Sequence, residues 1–432
     1  MTNTSIPLQH EPRTFPTSGF DLINASEEVE EETLPGYYPE KYYPVRLGEI
    51  FKQRYQVVGK LGYGTTSTVW LAHDLLQSRY VTLKIYVSGS SRTRELEIYD
   101  RLNRMEETPD HPGKKCIRKL FGSFQVDGPN GNHLCLIHEP LGLSLAQIAE
   151  VCRGHRFSLE TLKPCLRQVL IAVDFLHAKA GIIHTDTNFF NKCETIKTDQ
   201  FLTIALDLQT TNLLSGVSDP EILSVFENAE FIQPAPRKAL EDGRVIYVTR
   251  RMPLRNTLPL LCDFGEARFK EEAGTPGEDI MPDLYKAPEV ILDMEWDFKV
   301  DVWNMGMVVW HLVTGKPLFK GRSSDGTFQD DRVHLAEMVA IMGPPPMEFL
   351  QRLKTANSLW NEDGSWKNTV PIPENTTLEI LGADIVGEDK EGFLRFVRRI
   401  LQWAPEERPT CEELVFDPWL MEGLGKASSN EQ

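Results

Sequence analysis

The stretch Leu61-Gly62-Tyr63-Gly64-Thr65-Thr66-Ser67-Thr68-Val69, followed by Val81-Thr82-Leu83-Lys84, decides the fold of this chain. Runs with strand character flank the glycines on both sides: Tyr55-Gln56-Val57-Val58 before them, then Thr68-Val69-Trp70-Leu71 and Tyr80-Val81-Thr82-Leu83-Lys84-Ile85. A glycine pair lets the backbone turn tightly and bring its N–H groups against a phosphate. Because strands lie on both sides, the loop is not the strand-to-helix turn of a dinucleotide-binding fold. A plain hairpin would give the same local signal. Along the third run Val81, Leu83 and Ile85 share one face, so Lys84 points to the other, as a surface lysine or as a cation under the glycine loop.

Working outward, Arg94-Glu95-Leu96-Glu97-Ile98-Tyr99-Asp100-Arg101-Leu102 has helical spacing. Glu95 shares a face with Ile98, Tyr99 and Leu102, whereas Glu97 does not. A carboxylate on an apolar face is costly unless paired, and Lys84 is the candidate partner. From Leu143 onward the patterns are helical, with Leu162, Cys165, Leu166, Val169, Leu170, Val173 and Leu176 recurring at three and four residues. A small β-rich part followed by a larger helical part predicts an α+β chain of two lobes with a cleft between them.

At 432 residues, with 41% apolar and 25% charged residues, the composition is that of a globular enzyme of one large domain or two ordinary ones. The net charge of −17 argues against a protein that coats nucleic acid and favours solubility or a basic partner. The cysteines are scattered without a CxxC pair, so neither a disulfide framework nor a zinc knuckle is expected, and a reducing compartment is. No signal peptide is visible, and the apolar stretch from Val302 to Val313 is too short to span a bilayer. A soluble, intracellular protein is expected. Residues 1–54 carry the acidic run Glu27-Glu28-Val29-Glu30-Glu31-Glu32 and the stretch Tyr37-Tyr38-Pro39-Glu40-Lys41-Tyr42-Tyr43-Pro44. They read as a flexible, solvated acidic arm followed by a Tyr/Pro strap that packs on the domain.

Seven motifs then fall in a recognisable order. After the glycine loop and V-T-L-K come Ile183-His184-Thr185-Asp186, Cys262-Asp263-Phe264-Gly265 and Lys286-Ala287-Pro288-Glu289. Asp301-Val302-Trp303-Asn304-Met305-Gly306 and Glu407-Arg408-Pro409 complete the series. Together they resemble a eukaryotic protein kinase from about residue 43 to 420. Tyr43-Pro44-Val45-Arg46-Leu47-Gly48-Glu49, Ser67-Thr68-Val69-Trp70, the His-Thr-Asp triplet and a long spacer before Asp263 narrow the resemblance. They are similar to SR-protein kinases, and most similar to the divergent group of them common in fungi.

The resemblance implies a bilobal kinase fold. A β-rich N-lobe over residues 55–140 would hold a five-stranded sheet and one main helix. A larger helical C-lobe over 141–421 would carry a poorly ordered spacer at about 187–255, with a short tail at 422–432. It also implies ATP and Mg2+ as cofactors, basic Ser/Arg-rich proteins as substrates, no nucleic-acid or membrane partner, a monomer, and a cytoplasmic and nuclear location. Asp186 would orient the substrate hydroxyl, and Asp263 with Asn212 would hold the metal. Lys84, held by Glu95, would grip the α and β phosphates, and Leu61, Gly62, Gly64 and Val69 would line the ATP site. His138 stands before the hinge, where Glu139 and Leu141 would offer backbone groups to adenine. Glu289 and Arg408 match a buried ion pair, and Asp301 would hold the catalytic loop. Asp325, Asp330 and Asp331 lie where SR-protein kinases dock basic substrates, although a solvated acidic loop reads the same. Between Asp263 and Glu289 only Thr275 and Tyr285 carry hydroxyls, so activation by phosphorylation there is poorly supported.

The catalytic loop departs from the family. Asp186-Thr187-Asn188-Phe189-Phe190-Asn191 keeps the Asp-to-Asn spacing but runs into polar Lys192-Cys193-Glu194-Thr195. The second half fits better at Asp207-Leu208-Gln209-Thr210-Thr211-Asn212-Leu213-Leu214. Removing Thr187 to Asp207, which is 207 − 186 = 21 residues, joins the halves, so this segment reads as an insertion or a retained intron. In either register the loop lysine is replaced, by Asn188 or Gln209. Losing that cation predicts a rate cost on the order of 10²-fold. An alternative is a pseudokinase that binds nucleotide or partners without phosphotransfer, and another is a kinase of a different basic or small substrate.

Overall fold

Six strands build one antiparallel sheet: β1 (Ile50–Phe51), β2 (Tyr55–Tyr63), β3 (Ser67–Asp74), β4 (Arg79–Tyr86), β5 (Leu120–Gly128) and β6 (Gly131–His138), in the order β1-β2-β3-β4-β6-β5. The sixth strand, beyond the five expected, is the two-residue β1, whose Ile50 and Phe51 pair with Gln56 and Tyr55. The computed structural model describes residues 10–89, 94–105, 111–185, 212–255, 257–278, 280–323, 325–353, 356–385 and 389–422. Two units partition the chain. The first is Met1–Arg92, Arg118–Leu143 and Ser215–Thr257, and the second is Thr93–Ile117, Ser144–Leu214 and Leu258–Gln432. The sheet belongs to the first unit, whereas the helix Arg94–Arg104, expected with the small lobe, is assigned to the second.

Within the first unit the two-residue period sorts β4 as expected. Val81, Leu83 and Ile85 enter a core cluster with Trp70, Cys135 and Ile137, while Lys84 falls on the other face. Residues from outside the sheet help cover the cluster: Val45, Tyr43 and Leu47 come from the N-terminal arm, and Val245 and Tyr247 from beyond residue 215.

This covering corrects two expectations. The acidic run is solvated only in part: Glu27 and Glu28 are exposed, but Lys60, itself buried, donates to Glu31 and to the Tyr247 carbonyl (3.1 Å) and lies 3.2 Å from Glu30. Lys238 bonds Glu32 at 2.9 Å, and the Thr249 hydroxyl donates to Glu30 at 2.6 Å. Carboxylates so paired lose water but gain cations and donors at short range, which is what makes their burial tolerable. The described part of the spacer, 212–255, is folded rather than poorly ordered. It forms the helix Glu221–Ile232 and a hairpin of Arg237–Ala239 with Val245–Tyr247. The arm joins that hairpin through one parallel bridge of Leu22 with Arg237, where Ile23 N–H donates to Arg237 O (3.0 Å) and Arg237 N–H to Asp21 O (3.1 Å).

The spacer helix seats on β2 at a glycine. A Cβ on Gly59 would lie 2.7 Å from Cε1 of Phe226, whose ring is buried. Gly59→Ala is therefore expected to cost about 1–3 kcal/mol through overpacking. A lower urea midpoint and faster proteolytic cleavage between residues 215 and 255 are the readouts, and unchanged values in both would refute this packing.

In the second unit the predicted face of the helix Leu159–Phe175 is buried, from Leu162 through Val173, and Leu176 follows at its end. The helix Lys299–Thr314 is apolar nearly all round and largely buried, and Gly306 on it leaves room for Ile400 of the helix Lys390–Ile400. Among the described residues no helix is long and apolar enough to cross a membrane.

Candidate active site

The first unit carries the residues that the sequence places at the phosphates and the base. A Cβ on Gly62 or Gly64 would meet nothing within 4 Å, so neither glycine is required by packing of the chain itself. The loop backbone is open to approach, and the Tyr42 hydroxyl pins it by donating to Gly64 O at 3.0 Å. Leu61 and Val69 are half-buried beside it. Lys84 is buried, cross-strand from Val69 and Leu136. At the end of β6, His138 is buried, and that burial, with the positive charges of Arg118 and Lys84, holds its imidazole well below the ordinary histidine range. Leu141 is buried too. The Glu139 carbonyl is already engaged: Arg118 donates to it through Nε at 3.1 Å and Nη2 at 3.0 Å.

The second unit holds the remaining described residues of the set. Glu95 is buried on the same face as Ile98, Tyr99 and Leu102, and Glu97 is exposed, as the helical spacing predicted. Asp263 is exposed and sits at φ +60°, a left-handed conformation that side chains other than Asn and Asp rarely tolerate. Its Oδ1 accepts the Gly265 N–H at 3.2 Å. The next residue, Phe264, is buried edge-on against Tyr99, with ring centroids 5.3 Å apart. Asn212 lies alongside, its carbonyl accepting the Cys262 N–H at 2.9 Å. Asp186 lies outside the described residues, as do Thr187 to Asp207, Asn188, Asn191 and Gln209, so the split-loop reading rests on sequence.

What leads into Asp186 is held firmly. Asp301 accepts the backbone N–H of His184 (2.8 Å) and of Thr185 (3.0 Å), and it contacts His177 Nε2 at 2.8 Å. Burial alone would raise the Asp301 carboxyl, but the hydrogen bond and charge of His177, with those of His184, bring it below the usual carboxylate range. His184 Nε2 reaches Cys262 O at 3.1 Å, and the Thr185 hydroxyl donates to Glu266 O at 2.7 Å. One small network thus ties the His-Thr-Asp start to the Asp263 segment. Deeper in the unit Arg408 grips Glu289 through two bonds of 2.6 Å, both side chains fully buried.

Other sequence candidates look different in place. Asp330 caps the helix Asp331–Met342 and takes a two-pronged bond from Arg332, and Asp325 is used by Ser323 and Thr327 within a turn. Tyr285 is buried with its hydroxyl 2.9 Å from His311 Nδ1, while Thr275 is exposed. Arg118 was missed altogether. The signal available was a basic residue just ahead of a strand, which by itself points nowhere.

The fold and this arrangement define a eukaryotic protein kinase. The protein kinase domain model matches residues 254–420. A serine/threonine protein kinase of Aspergillus fumigatus is 37% identical over 415 residues, covering 95% of both chains. Serine/threonine-protein kinase SRPK of Physarum polycephalum is 30% identical over 408 residues, covering 93% of this chain and 92% of its own. SRSF protein kinase 3 of Mus musculus is 36% identical over 527 residues, covering 91% of each. A crystal structure of a kinase domain superposes with a TM-score of 0.63 at 25% identity, covering 88% of this chain and 99% of that one. The chain belongs to the serine/threonine protein kinases, in the SR-protein-kinase-like branch.

Proposed function

We propose that this kinase transfers the γ-phosphoryl group of a nucleoside triphosphate, ATP by family resemblance, to serines of basic, Arg/Ser-rich proteins. The observation that carries the reading is the exposed Asp263 carboxylate, set beside Asn212 and braced through Cys262 to the Asp301–His184 frame. Carboxylate and amide oxygens are the hard donors that Mg2+ takes, so the residues present fit that ion. When bound, Mg2+ supplies charge neutralisation on the transferring phosphates. Lys84 meets the phosphates; the open backbone at Gly62 and Gly64 covers them; Asp186 orients the acceptor hydroxyl. The relatives named as SR-protein kinases and the net charge of −17 support a basic substrate.

A nucleotide-binding pseudokinase is the second reading, favoured by the missing loop lysine at Asn188 or Gln209. Phosphate incorporation from ATP and Mg2+ into an Arg-Ser repeat peptide and a casein-like acidic peptide separates them. The full chain is compared with a version lacking Thr187 to Asp207. Transfer to the Arg-Ser peptide is expected, and a preference for the acidic peptide would sink the SR-protein assignment. Transfer by the shortened chain alone would make the insertion a silencing device. No transfer by either chain, with nucleotide still bound, would put the pseudokinase first.

A further inference from the structure

A hydrogen bond joins the N-terminal arm to the glycine loop, and its direction carries information. Tyr42, buried near the end of the Tyr/Pro strap, donates its hydroxyl to Gly64 O at 3.0 Å. Its ring lies against Tyr37, with centroids 5.0 Å apart, and lines a cleft with Val45, Trp70 and Tyr247. Those three belong to the core cluster, so Tyr42 reaches Gly64 from the cluster's face of the sheet. Lys84 and its cross-strand partner Val69 lie on the other face.

A trans peptide is planar, and its C=O and the following N–H point in opposite directions. Anchoring Gly64 O on the arm therefore turns the Thr65 N–H away from the cluster, toward the face that carries Lys84. The rest of the turn is tied as well. Gly64 N–H donates to Ser67 O at 2.8 Å, Val87 N–H to Thr66 O at 2.9 Å, and Ser88 N–H to Lys41 O of the strap at 2.8 Å. The strap thus holds the loop and the residues just after β4 together. Backbone N–H groups already held in one direction bind an anion without first having to be ordered. We propose that Tyr42 is a positioning residue for the nucleotide's phosphates: its hydroxyl fixes the Gly64–Thr65 peptide so that the Thr65 N–H faces the triphosphate. This role rests on the nucleotide-binding reading of the glycine loop and Lys84, and adds to it a residue from outside the strands.

The test is the affinity of the full chain for ATP with Mg2+ and, separately, for adenosine, which has the base and ribose but no phosphate. Tyr42→Phe removes one oxygen and keeps the ring against Tyr37, so the fold stays in place, which a thermal melt checks. This variant is expected to bind ATP about 3- to 10-fold more weakly, the range of one hydrogen bond, with adenosine unchanged. Tyr43→Phe is the control. It removes the neighbouring strap hydroxyl, which donates to Glu49 at 2.6 Å rather than to the loop, and its ATP affinity is expected to match the unmodified chain. Equal losses for ATP and adenosine in Tyr42→Phe would overturn the proposal, because the effect would then not pass through the phosphates. So would an unchanged ATP affinity in that variant, or the same loss in Tyr43→Phe. An unmodified chain that binds no ATP overturns the nucleotide-binding reading and the role of Tyr42 together, whereas ATP bound equally well with and without the hydroxyl overturns the role alone.

Discussion

Asp263→Asn is expected to lower phosphoryl transfer by about 10³-fold while leaving the melting temperature in place. The effect follows from the metal: a neutral amide cannot replace the carboxylate that would hold Mg2+, whose charge stabilisation is worth several kcal/mol in such reactions. Stability is spared because Asp263 is exposed and asparagine accepts its positive φ. Alanine is the poorer probe, since a left-handed backbone with an ordinary Cβ costs roughly 1–2 kcal/mol and would mix strain into the result. Single-turnover transfer to an Arg-Ser peptide and a thermal melt are the two measurements. Full activity in the variant would show that the metal is held elsewhere.

Glu289→Ala should have the largest effect on stability. Arg408 would be left fully buried with its bidentate partner gone, keeping the Gln402 and Lys299 carbonyls, each at 3.1 Å, and the Trp303 ring at 4.9 Å. Breaking such a pair from one side costs about 3–5 kcal/mol, because an uncompensated charge stays inside. A loss below about 1 kcal/mol in urea unfolding would mean that water reaches the guanidinium. Glu289→Leu combined with Arg408→Met is expected to recover most of the loss, since the double change removes both charges and keeps volume. The comparison separates the pair's geometry from its net worth.

Where the chain's own periodicity carries the information, the sequence was legible. Lys84 stands opposite Val81, Leu83 and Ile85 because a strand alternates, and Glu95 is buried with Ile98, Tyr99 and Leu102 because a helix repeats. Asp301 and the Glu289–Arg408 pair were reached only through family resemblance, since nothing local marks them. What local patterns could not supply was the partner of a charged residue. Glu30, Glu31 and Glu32 looked solvated because Lys60, Lys238 and Thr249 lie far along the chain. The spacer read as unstructured for the same reason: Phe226 has a place only once Gly59 is opposite. Arg118 was invisible because its acceptor is a backbone carbonyl, which every residue has.

The interlock of the arm with the spacer also orders events during synthesis. Glu32 and its cation Lys238 are 206 residues apart, so this carboxylate waits for a partner made much later. At roughly 5–20 residues per second the delay is about 10–40 s. Throughout that interval the outer face of the sheet, including Trp70, lacks Tyr247 as its cover. The nascent chain therefore passes through a stage with an exposed aromatic surface and Glu32 still without its cation, the kind of intermediate that chaperones hold.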